Sequence, residues 1–386
     1  MFLTAGNNQP TLEHTKKLHG LDHLRTIAIL LVLLFHYRMF KHPAWVDDFG
    51  IYGWTGVDLF FVLSGYLISS QLFAQIERDG WFSSKEFFIK RVFRILPAYL
   101  LVLAVYFLVP ASHEREGLAP LWKYLTFTQN FGLDLAHYGT FSHAWSLCVE
   151  EQFYLLLPVT LLVLLKLKLF RKGWWLLLLL FAGGFLVRYY SYETFVAGQE
   201  NSVLKWYEYL YYPTYNRMDG LLAGVSVAAV FRYKPLWKAV MVKYAGLFFL
   251  AGLLFFTGAF FFLSDQYDLT STVFIFPVIS IGFACLVVAA VSPDFFLYRF
   301  HSRISSMIAA LSYAVYLSHK IVIHLMQDWL GKLGMKVNGL PVFFICIVSC
   351  FLVAWIIHLL VEKPFMRWRS KFLVGNLDGK KQMIVS

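Results

Sequence analysis

Two residues capable of proton and charge chemistry lie in the apolar stretch Gly20–Tyr37, which reads as a membrane-spanning helix. Arg25 lies near its start and His36 near its end, eleven residues apart. At about 100° and 1.5 Å per residue, both side chains fall on one helix face, roughly 16 Å apart along the axis. Charged residues within a membrane usually face a protein interior or a cavity. The stretch therefore predicts a first helix that points a cation and an imidazole into a bundle.

Similar polar side chains interrupt later apolar segments, where a helix that only spans a membrane needs none. A carboxylate or imidazole there can remove a proton from a substrate, and a guanidinium or hydroxyl can hold a substrate or stabilise an oxyanion. Each also has a structural explanation, since a buried carboxylate can pair with a cation, a serine can cap a helix, and a histidine can join two helices. The residues in question are Asp58, Ser146, Glu150, Glu151, Arg217, Asp219 and His319.

Two arginines, Arg91 and Arg94, precede the third apolar run in the sequence KRVFR. Residues three apart share a helix face, so the two guanidinium groups point the same way. Guanidinium forks bind phosphate bidentately, and the dipole at a helix N-terminus also favours anions. A cluster of snorkelling basic residues at the membrane surface explains the same pair. The residues thus allow either a phosphate site or a membrane anchor.

The composition identifies the class of protein in which these residues lie. Of the 386 residues, 59% are hydrophobic and 15% are charged, and the mean hydropathy is +0.61. Soluble domains carry about 25% charged residues, so a polytopic membrane protein is indicated and a soluble enzyme is excluded. The four cysteines lie in apolar runs without the spacing of a disulfide or a zinc site, and we expect no metal.

Apolar runs long enough to cross a membrane recur along the whole chain, and they predict an all-α integral membrane protein of about ten transmembrane helices. Pro97 suggests that residues 83–94 form a separate interfacial helix, and Pro364 predicts the end of the tenth helix. The N-terminal residues lack the apolar core of a signal peptide, so we expect the first helix to be retained. The predicted helices lie near residues 23–40, 55–76, 93–110, 145–166, 173–190, 214–231, 243–263, 271–291, 305–325 and 341–361.

The distribution of basic residues predicts the orientation in the membrane. With ten spans the termini share one side, and the segments on that side hold 23 lysines and arginines against 8 on the other. Because basic residues are enriched in cytoplasmic segments, both termini are predicted to be cytoplasmic, in a multi-pass protein of the cell (inner or plasma) membrane. The net charge of +11 is then explained by topology and by contact with membrane lipids, so no nucleic-acid partner is expected.

This orientation gives each intramembrane polar residue a depth. His36 lies about 20 Å from the cytoplasmic end of the first helix, and His319 lies at a similar depth in the ninth. Asp58, Ser146 and Arg217, with their polar neighbours, lie near the outer start of inward-going helices. Five helices therefore place ionisable groups in the outer half of the membrane, which predicts a buried site there.

Several segments together resemble the membrane acyltransferase-3 family, bacterial O-acyltransferases and O-acetyltransferases of surface carbohydrates. The resemblance runs from Gly20 to Arg367 and is carried by LDHLRTIAILLVLLFHY, GVDLFFVLSGYLIS, KRVFR, SHAWSLCVEEQFYLLLP, RMDGLLAG, SYAVYLSH and VEKPF. It implies an acyltransferase-3-like transmembrane domain at 21–367, between a cytoplasmic N-terminal segment at 1–20 and a cytoplasmic tail at 368–386. Some members carry an additional esterase-like domain, which we do not expect here.

The resemblance also implies the chemistry. It makes Arg25 and His36 essential, and it makes Arg91 and Arg94 the pair that faces cytoplasmic acyl-CoA (acetyl-CoA), a co-substrate in place of a bound cofactor. From the predicted depths we expect His36 to be the general base for a hydroxyl of a carbohydrate or lipid-linked glycan, or itself to carry the acyl group, with Asp58 as the first choice of orienting carboxylate. The residues expected to bind substrate or stabilise the oxyanion are Arg25, Arg91, Arg94, Ser146, Glu150, Glu151, Arg217, Asp219 and His319.

Two other functions fit the same polar residues. A transporter or flippase of a lipid-linked sugar would need no acyl-CoA, and its activity would survive the loss of His36 better than that of an enzyme. A non-catalytic receptor or scaffold would tolerate the loss of His36 and of both Arg91 and Arg94. Dependence on acyl-CoA separates the acyltransferase from both alternatives.

Overall fold

The computed structural model describes residues 18–263 and 265–373. Most of the predicted N-terminal segment, 1–20, and most of the predicted tail, 368–386, lie outside these described residues. Within them the fold is helical, and no strand occurs. The ten principal helices are α1 (His19–Tyr37), α2 (Thr55–Asp79), α3 (Ser84–Leu108), α4 (Trp145–Lys166), α5 (Gly173–Phe195), α6 (Asp219–Tyr233), α7 (Ala245–Phe262), α8 (Leu269–Ala290), α9 (Arg303–Lys332) and α10 (Leu340–Ile357).

Nine helices in the described part of the chain are long and apolar enough to cross a membrane. The exception among the ten is α6, which has 15 residues and is buried along most of its length. The prediction of an all-α membrane protein is therefore confirmed.

The third helix departs from its predicted bounds. It was expected near 93–110, after a separate interfacial helix, but α3 is continuous from Ser84 to Leu108 and contains Pro97. The Ser83 side chain caps its start by accepting a hydrogen bond from the Glu86 backbone N–H. A proline removes one hydrogen bond and can bend a helix without ending it. Arg91 and Arg94 consequently lie on the same helix as the membrane span.

The tenth helix does not end at Pro364 as expected. A π-helical turn, His358–Glu362, follows α10, and the chain then continues as a helix through residues 363–373. A proline within a continuous helix removes one hydrogen bond, and the π-helical turn directly before Pro364 is a local irregularity of the kind that accommodates such a loss. The rings of Phe365 and Phe372 lie 6.5 and 6.2 Å from that of Phe93, so this last helix packs beside α3.

The core of the bundle is built on close helix contacts. Helix α1 packs against α2 and α9, and α2 packs along α6. A Cβ atom added at Gly65 would lie 2.2 Å from the Leu221 carbonyl oxygen, and one added at Gly224 would lie 2.2 Å from that of Val62. Only glycine permits so close an approach, which fixes α2 against the start of α6.

Helix α5 buries polar residues and exposes apolar ones, which is the reverse of a helix in a soluble protein. Its buried residues are Arg188 and Ser191, whereas its leucines and aromatic side chains face outward. Arg188 had been counted among the basic residues of the outer segments, but it is fully buried. The correction has a physical reason, since a cation on a lipid-facing helix turns toward a partner inside the protein.

Candidate active site

Three histidines from distant parts of the chain meet inside the bundle. His36 comes from α1, His319 from α9, and His143 from the turn Ser142–Ala144 that precedes α4. The ring of His36 lies 4.9 Å from that of His319 and 5.7 Å from that of His143, and the last two are 5.0 Å apart. All three side chains are buried. His36 and His319, which were predicted to lie at a similar depth, are therefore neighbours in the structure. His143 lies beside both of them and was not predicted.

The hydrogen bonds of His319 determine the protonation of His36. Nδ1 of His319 lies 3.0 and 2.9 Å from the carbonyl oxygens of Val315 and Tyr316, which only accept, so this nitrogen carries the proton. In the neutral ring, Nε2 of His319 then accepts, and Nδ1 of His36 donates to it across 3.1 Å. Nε2 of His36 is left unprotonated, and no described residue forms a hydrogen bond with it. This is the tautomer that a general base requires.

A buried ion pair lies beside the histidines. Nζ of Lys320 is 2.8 Å from Oε1 of Glu114, and both side chains are 1% exposed. Glu114 Oε1 also accepts a hydrogen bond from the Phe141 backbone N–H at 3.2 Å. The pair ties the segment between α3 and α4 to α9, next to His319. It also sets an ammonium group at the wall of the cavity that His36 lines.

The predicted orienting carboxylate, Asp58, has a different partner. Its Oδ1 accepts a hydrogen bond from Arg217 at 2.8 Å, and both side chains are buried. The guanidinium of Arg217 also lies 4.0 Å from the ring centre of Phe276 and 4.5 Å from that of Tyr211. Because a buried carboxylate is most stable beside a buried cation, Asp58 pairs with Arg217, and His319 takes the place beside His36.

Asp219 is likewise held by a buried cation. Arg188 donates to its two carboxylate oxygens at 2.6 and 3.2 Å. Arg188 also donates to the Asn216 and Val273 carbonyl oxygens, so its fork is fully engaged. In this structure Asp219 and Arg217 hold the start of α6 to its neighbours, and neither lines the cavity beside His36.

The outer cavity, which His36 and His143 line, has a volume of about 530 Å³. Its walls combine aromatic rings with charged groups. Lys320 comes from α9, and Arg115 and Glu116 come from the segment between α3 and α4. Flat aromatic faces beside hydrogen-bonding groups are suited to a sugar ring. The aromatic lining consists of Phe35, Trp54, Trp145, Tyr207, Tyr211 and Tyr212.

All three of these tyrosines lie outside the membrane-spanning helices, in the segment before α6. Burial raises the pKa of Tyr211 and Tyr212 above the ordinary range of a tyrosine. Both hydroxyls therefore stay protonated at neutral pH and can donate hydrogen bonds to a ligand in the outer cavity.

A second cavity, the inner cavity, has a volume of about 190 Å³ and holds most of the remaining predicted residues. Arg25, Arg91 and Arg94 line it together, although they come from α1 and α3. Glu150 and Glu151 line it as well, so they do not join His36 as their predicted depth suggested. They lie more than one turn further along α4 than Trp145, which lines the outer cavity.

The two cavities meet at a pair of hydroxyls. Ser146 and Tyr316 line the inner cavity, and their oxygens are 2.6 Å apart. The Tyr316 hydroxyl also donates to the backbone carbonyl of His143, whose ring lines the outer cavity. No described residue lines both cavities, and this pair of hydroxyls links the wall of the inner cavity to His143 in the wall of the outer one. The Tyr316 hydroxyl therefore joins α9 to the start of α4.

Four residues of the site and its buried ion pairs were not predicted from the sequence, namely His143, Lys320, Glu114 and Arg188. His143 lies in SHAW, two residues before the first residue of α4, so a signal was present. Lys320 directly follows His319 in the ninth helix, and a charged residue at that position in an apolar helix was also a signal. Glu114 lies in a segment between helices and pairs with a residue 206 positions away, for which the sequence carries no signal.

Comparison with known proteins gives a consistent result. The family model described as an acyltransferase domain, of the acyltransferase-3 type, matches residues 18–359. A Staphylococcus aureus (strain MRSA252) protein named "Putative O-acetyltransferase SAR0937" is 27% identical over 92% of this chain and 59% of its own length. The "Peptidoglycan O-acetyltransferase OatA" of Listeria monocytogenes is 31% identical over 57% of this chain and 35% of its own. No solved structure matches the chain.

This chain spans about three fifths of the length of the Staphylococcus aureus relative. The family match nevertheless covers most of the chain, including α1 to α10 and all three histidines. The segments that carried the resemblance in the sequence all begin within the matched residues, apart from the closing VEKPF. The chain therefore belongs to the acyltransferase-3 family.

Proposed function

We propose that this protein is a membrane O-acyltransferase that moves an acyl group, most simply acetyl, from cytoplasmic acyl-CoA to a hydroxyl of a carbohydrate. The observation that carries the proposal is the His36–His319 hydrogen bond at the wall of the outer cavity, which leaves an unprotonated imidazole nitrogen on His36. The names of the relatives, which are O-acetyltransferases, support the same reaction. We further propose that both termini are cytoplasmic and that the protein resides in the cell membrane.

The inner cavity is the proposed route of the donor. Arg91 and Arg94 lie on one face of the first half of α3, and the excess of basic residues supports a cytoplasmic position for this end of the helix. Their guanidinium groups fit the phosphates of CoA, since arginine forks bind phosphate through two parallel hydrogen bonds. The pantetheine arm then extends past Arg25 and Glu150 toward the junction of Ser146 and Tyr316.

The outer cavity is the proposed site of the acceptor. Its tyrosine and tryptophan rings offer faces for a sugar ring, and its protonated tyrosine hydroxyls offer donors for sugar oxygens. The Listeria monocytogenes relative is named for peptidoglycan, and we propose a cell-envelope glycan, free or lipid-linked, as the acceptor class here. A hydroxyl of this glycan approaches Nε2 of His36.

The reaction follows from this arrangement. Nε2 of His36 accepts the proton of the glycan hydroxyl while its oxygen bonds to the thioester carbonyl carbon. The positive charge on the His36 ring is shared with His319 through the Nδ1 hydrogen bond. The tetrahedral intermediate then collapses with cleavage of the C–S bond. The CoA sulfur leaves with the proton from His36, and the acyl group remains on the glycan oxygen as an ester.

The oxyanion of the intermediate needs a donor at the cavity wall. Arg217 was one expected candidate, but it is engaged by Asp58 and aromatic rings and does not line the outer cavity. Lys320 does line it, and an ammonium group has three donors, of which Glu114 takes one. We therefore assign the oxyanion contact to Lys320.

The junction between the cavities must open for transfer. The acyl group arrives from the inner cavity, whereas His36 lines the outer one, and the Ser146–Tyr316 hydrogen bond lies between them. Movement of the Tyr316 side chain away from Ser146 joins the two cavities. In the alternative route, His36 takes the acyl group first and passes it on. Initial-rate kinetics separate the routes, because a carried acyl group gives ping-pong kinetics.

Transfer of label tests the function. The whole chain is reconstituted in proteoliposomes with acetyl-CoA labelled in the acetyl group, and peptidoglycan fragments or lipid-linked glycans are supplied as acceptors. We expect label in a base-labile ester on the glycan, dependent on acetyl-CoA and absent with the Arg91→Ala/Arg94→Ala double variant. Transport of a lipid-linked sugar without any labelled ester would contradict the proposal and favour a flippase.

A further inference from the structure

Four arginines converge at the cytoplasmic end of the bundle. Arg25, Arg91 and Arg94 line the inner cavity, and both Arg91 and Arg94 lie close enough to Arg25 to repel it. The fourth, Arg369, lies on the helix of residues 363–373, close enough to Arg94 for the two cations to repel each other. Arg369 lies beyond residue 359, where the family match ends, and no part of the proposed reaction has used it.

None of these four guanidinium groups is held in a direct ion pair with a described residue, although Asp22 lies close to Arg25, and Glu150 and Glu151 lie close to Arg91. Within the described part of the chain, none forms an ion pair with a carboxylate and none donates a hydrogen bond to a protein group. Nε of Arg91 and Nε of Arg369 are both inaccessible to solvent and unpaired. Other arginines of the chain are paired where they are buried, as Arg188 and Arg217 are.

Such an arrangement favours a bound anion. Buried donors without partners and like charges at short range both destabilise a fold, and a phosphate group removes both penalties at once. Glu150 and Glu151 share the inner cavity, but neither forms an ion pair with an arginine. The cluster therefore has the chemistry of a site for more than one phosphate group.

Arg369 lies at a different place from Arg91 and Arg94, which line the inner cavity. Phe365 and Phe372 pack their rings against Phe93, which holds the last helix beside α3 at the level of Arg94. Arg369 does not line the inner cavity, so it lies at its edge rather than along the path of the pantetheine arm. CoA carries a diphosphate next to that arm and a separate phosphate on the ribose 3′ oxygen.

We propose that Arg369 binds the 3′-phosphate of the CoA donor, while Arg91 and Arg94 bind its diphosphate. The helix of residues 363–373 is thus part of the donor site and makes the protein selective for CoA over 3′-dephospho-CoA. This inference rests on the proposed use of acyl-CoA, and it adds a recognition element outside the matched domain. A membrane phospholipid is the other source of phosphate at this depth.

Equilibrium binding to the purified whole chain tests the inference without requiring catalysis. CoA and 3′-dephospho-CoA are titrated separately into the wild-type protein and the Arg369→Ala variant. Loss of a charge-assisted hydrogen bond weakens binding by roughly 10- to 100-fold, so we expect the wild-type protein to prefer CoA by that factor. Arg369→Ala is expected to bind both ligands equally, with its affinity for dephospho-CoA unchanged.

The unchanged affinity for dephospho-CoA shows that the variant is folded. Arg367→Ala is the matched control, because Arg367 is exposed and lies about 200° around the same helix. It should keep the preference for CoA. Equal binding of both ligands by the wild-type protein, or a preference that survives in Arg369→Ala, overturns the assignment and leaves Arg369 to a lipid phosphate. Binding of CoA without any transfer of label overturns the reaction but leaves this assignment standing.

Discussion

At the scale of single residues, the hydrogen bond between His36 and His319 decides which nitrogen can accept a proton. His319 is fixed by the carbonyl oxygens of Val315 and Tyr316, one turn earlier on its own helix. It therefore presents a lone pair to His36 and does not compete for the substrate. We propose that His319 acts as a positioning residue, in the role that a carboxylate has in a serine hydrolase. A neutral partner avoids placing a further negative charge within the membrane.

Substitution of His319 tests this role. We expect His319→Phe to lower kcat by roughly 10²-fold, since His36 loses the acceptor that holds its tautomer. His319→Gln should recover most of the activity, because its amide oxygen can take the place of Nε2 as acceptor. The pH dependence of kcat/KM provides the second measurement.

A positioning role predicts that His319→Phe shifts the pH–rate profile and that His319→Gln restores it. A purely structural role predicts less folded protein with an unchanged profile per folded molecule. Equal loss in both variants, without any change in the profile, would contradict the assignment.

At the scale of the helices, buried ion pairs and glycine contacts hold α6 in place. Arg217 joins its start to α2 through Asp58, and Arg188 joins it to α5 through Asp219. Such pairs stabilise a membrane protein mainly by leaving no charge alone, because a single buried charge is far less stable than either a pair or none. The same elements carry the aromatic wall of the outer cavity, so the site depends on them.

Removal of one member of the Asp58–Arg217 pair should destabilise the fold strongly. We expect Arg217→Leu to lower the free energy of unfolding by about 3–5 kcal/mol, because Asp58 is left buried without a cation. The double variant Asp58→Leu/Arg217→Leu should recover much of that loss. Denaturant or thermal unfolding in detergent measures both variants.

An additive effect in the double variant would show that the two residues are independent. The transfer activity of the double variant tests separately whether Asp58 orients His36. If Asp58 orients His36, as the sequence suggested, activity is lost even when stability recovers.

Close packing of α2 on α6 makes a second prediction at this scale. Gly224→Ala adds a methyl group within 2.2 Å of the Val62 carbonyl oxygen, and we expect a loss of about 1–3 kcal/mol in unfolding free energy. Gly258→Ala on α7 is the matched control, since nothing lies within 4 Å of its added Cβ. Thermal unfolding in detergent compares the two. Equal midpoints for both variants would show that the α2–α6 contact is looser than described.

At the scale of the whole molecule, the described part of the chain forms the inner and the outer cavity on either side of one hydrogen-bonded pair, Ser146 and Tyr316. The inner cavity carries the arginines, and the outer one carries the histidines and the aromatic rings. This division suits a reaction whose donor and acceptor arrive from opposite faces of a membrane. The donor arrives from the cytoplasm only if the end of the bundle that carries the arginines faces the cytoplasm.

Labelling of single cysteines tests that orientation. Lys336→Cys, after α9, should react with a membrane-impermeant thiol reagent in intact cells, and Lys238→Cys, between α6 and α7, should react only after permeabilisation. Both lysines are exposed, whereas three of the four native cysteines are buried, so background labelling should be low. The reverse pattern would invert the topology and place the arginine cluster outside.

The sequence allowed nine of the ten helices to be located, because apolar runs of membrane length stand out, whereas α6 is shorter than such a run. It also singled out His36, His319 and the Arg91–Arg94 pair, since polar groups in such runs stand out. The sequence could not show which of these side chains contact each other. His36 and His319 are 283 positions apart, and whether Asp58 joins His36 or Arg217 depends on helix packing that no local pattern encodes. The split of one predicted site into two cavities arose for the same reason.

The most direct test of the central claim is the rate of acetyl transfer by His36→Asn in proteoliposomes, with both substrates saturating. The asparagine amide can still donate to His319 in place of Nδ1, but it has no counterpart of Nε2. The account predicts a fall in kcat of roughly 10²–10⁴-fold, with CoA binding unchanged. A folded His36→Asn protein that transfers acetyl groups at a rate close to that of the wild type would contradict it.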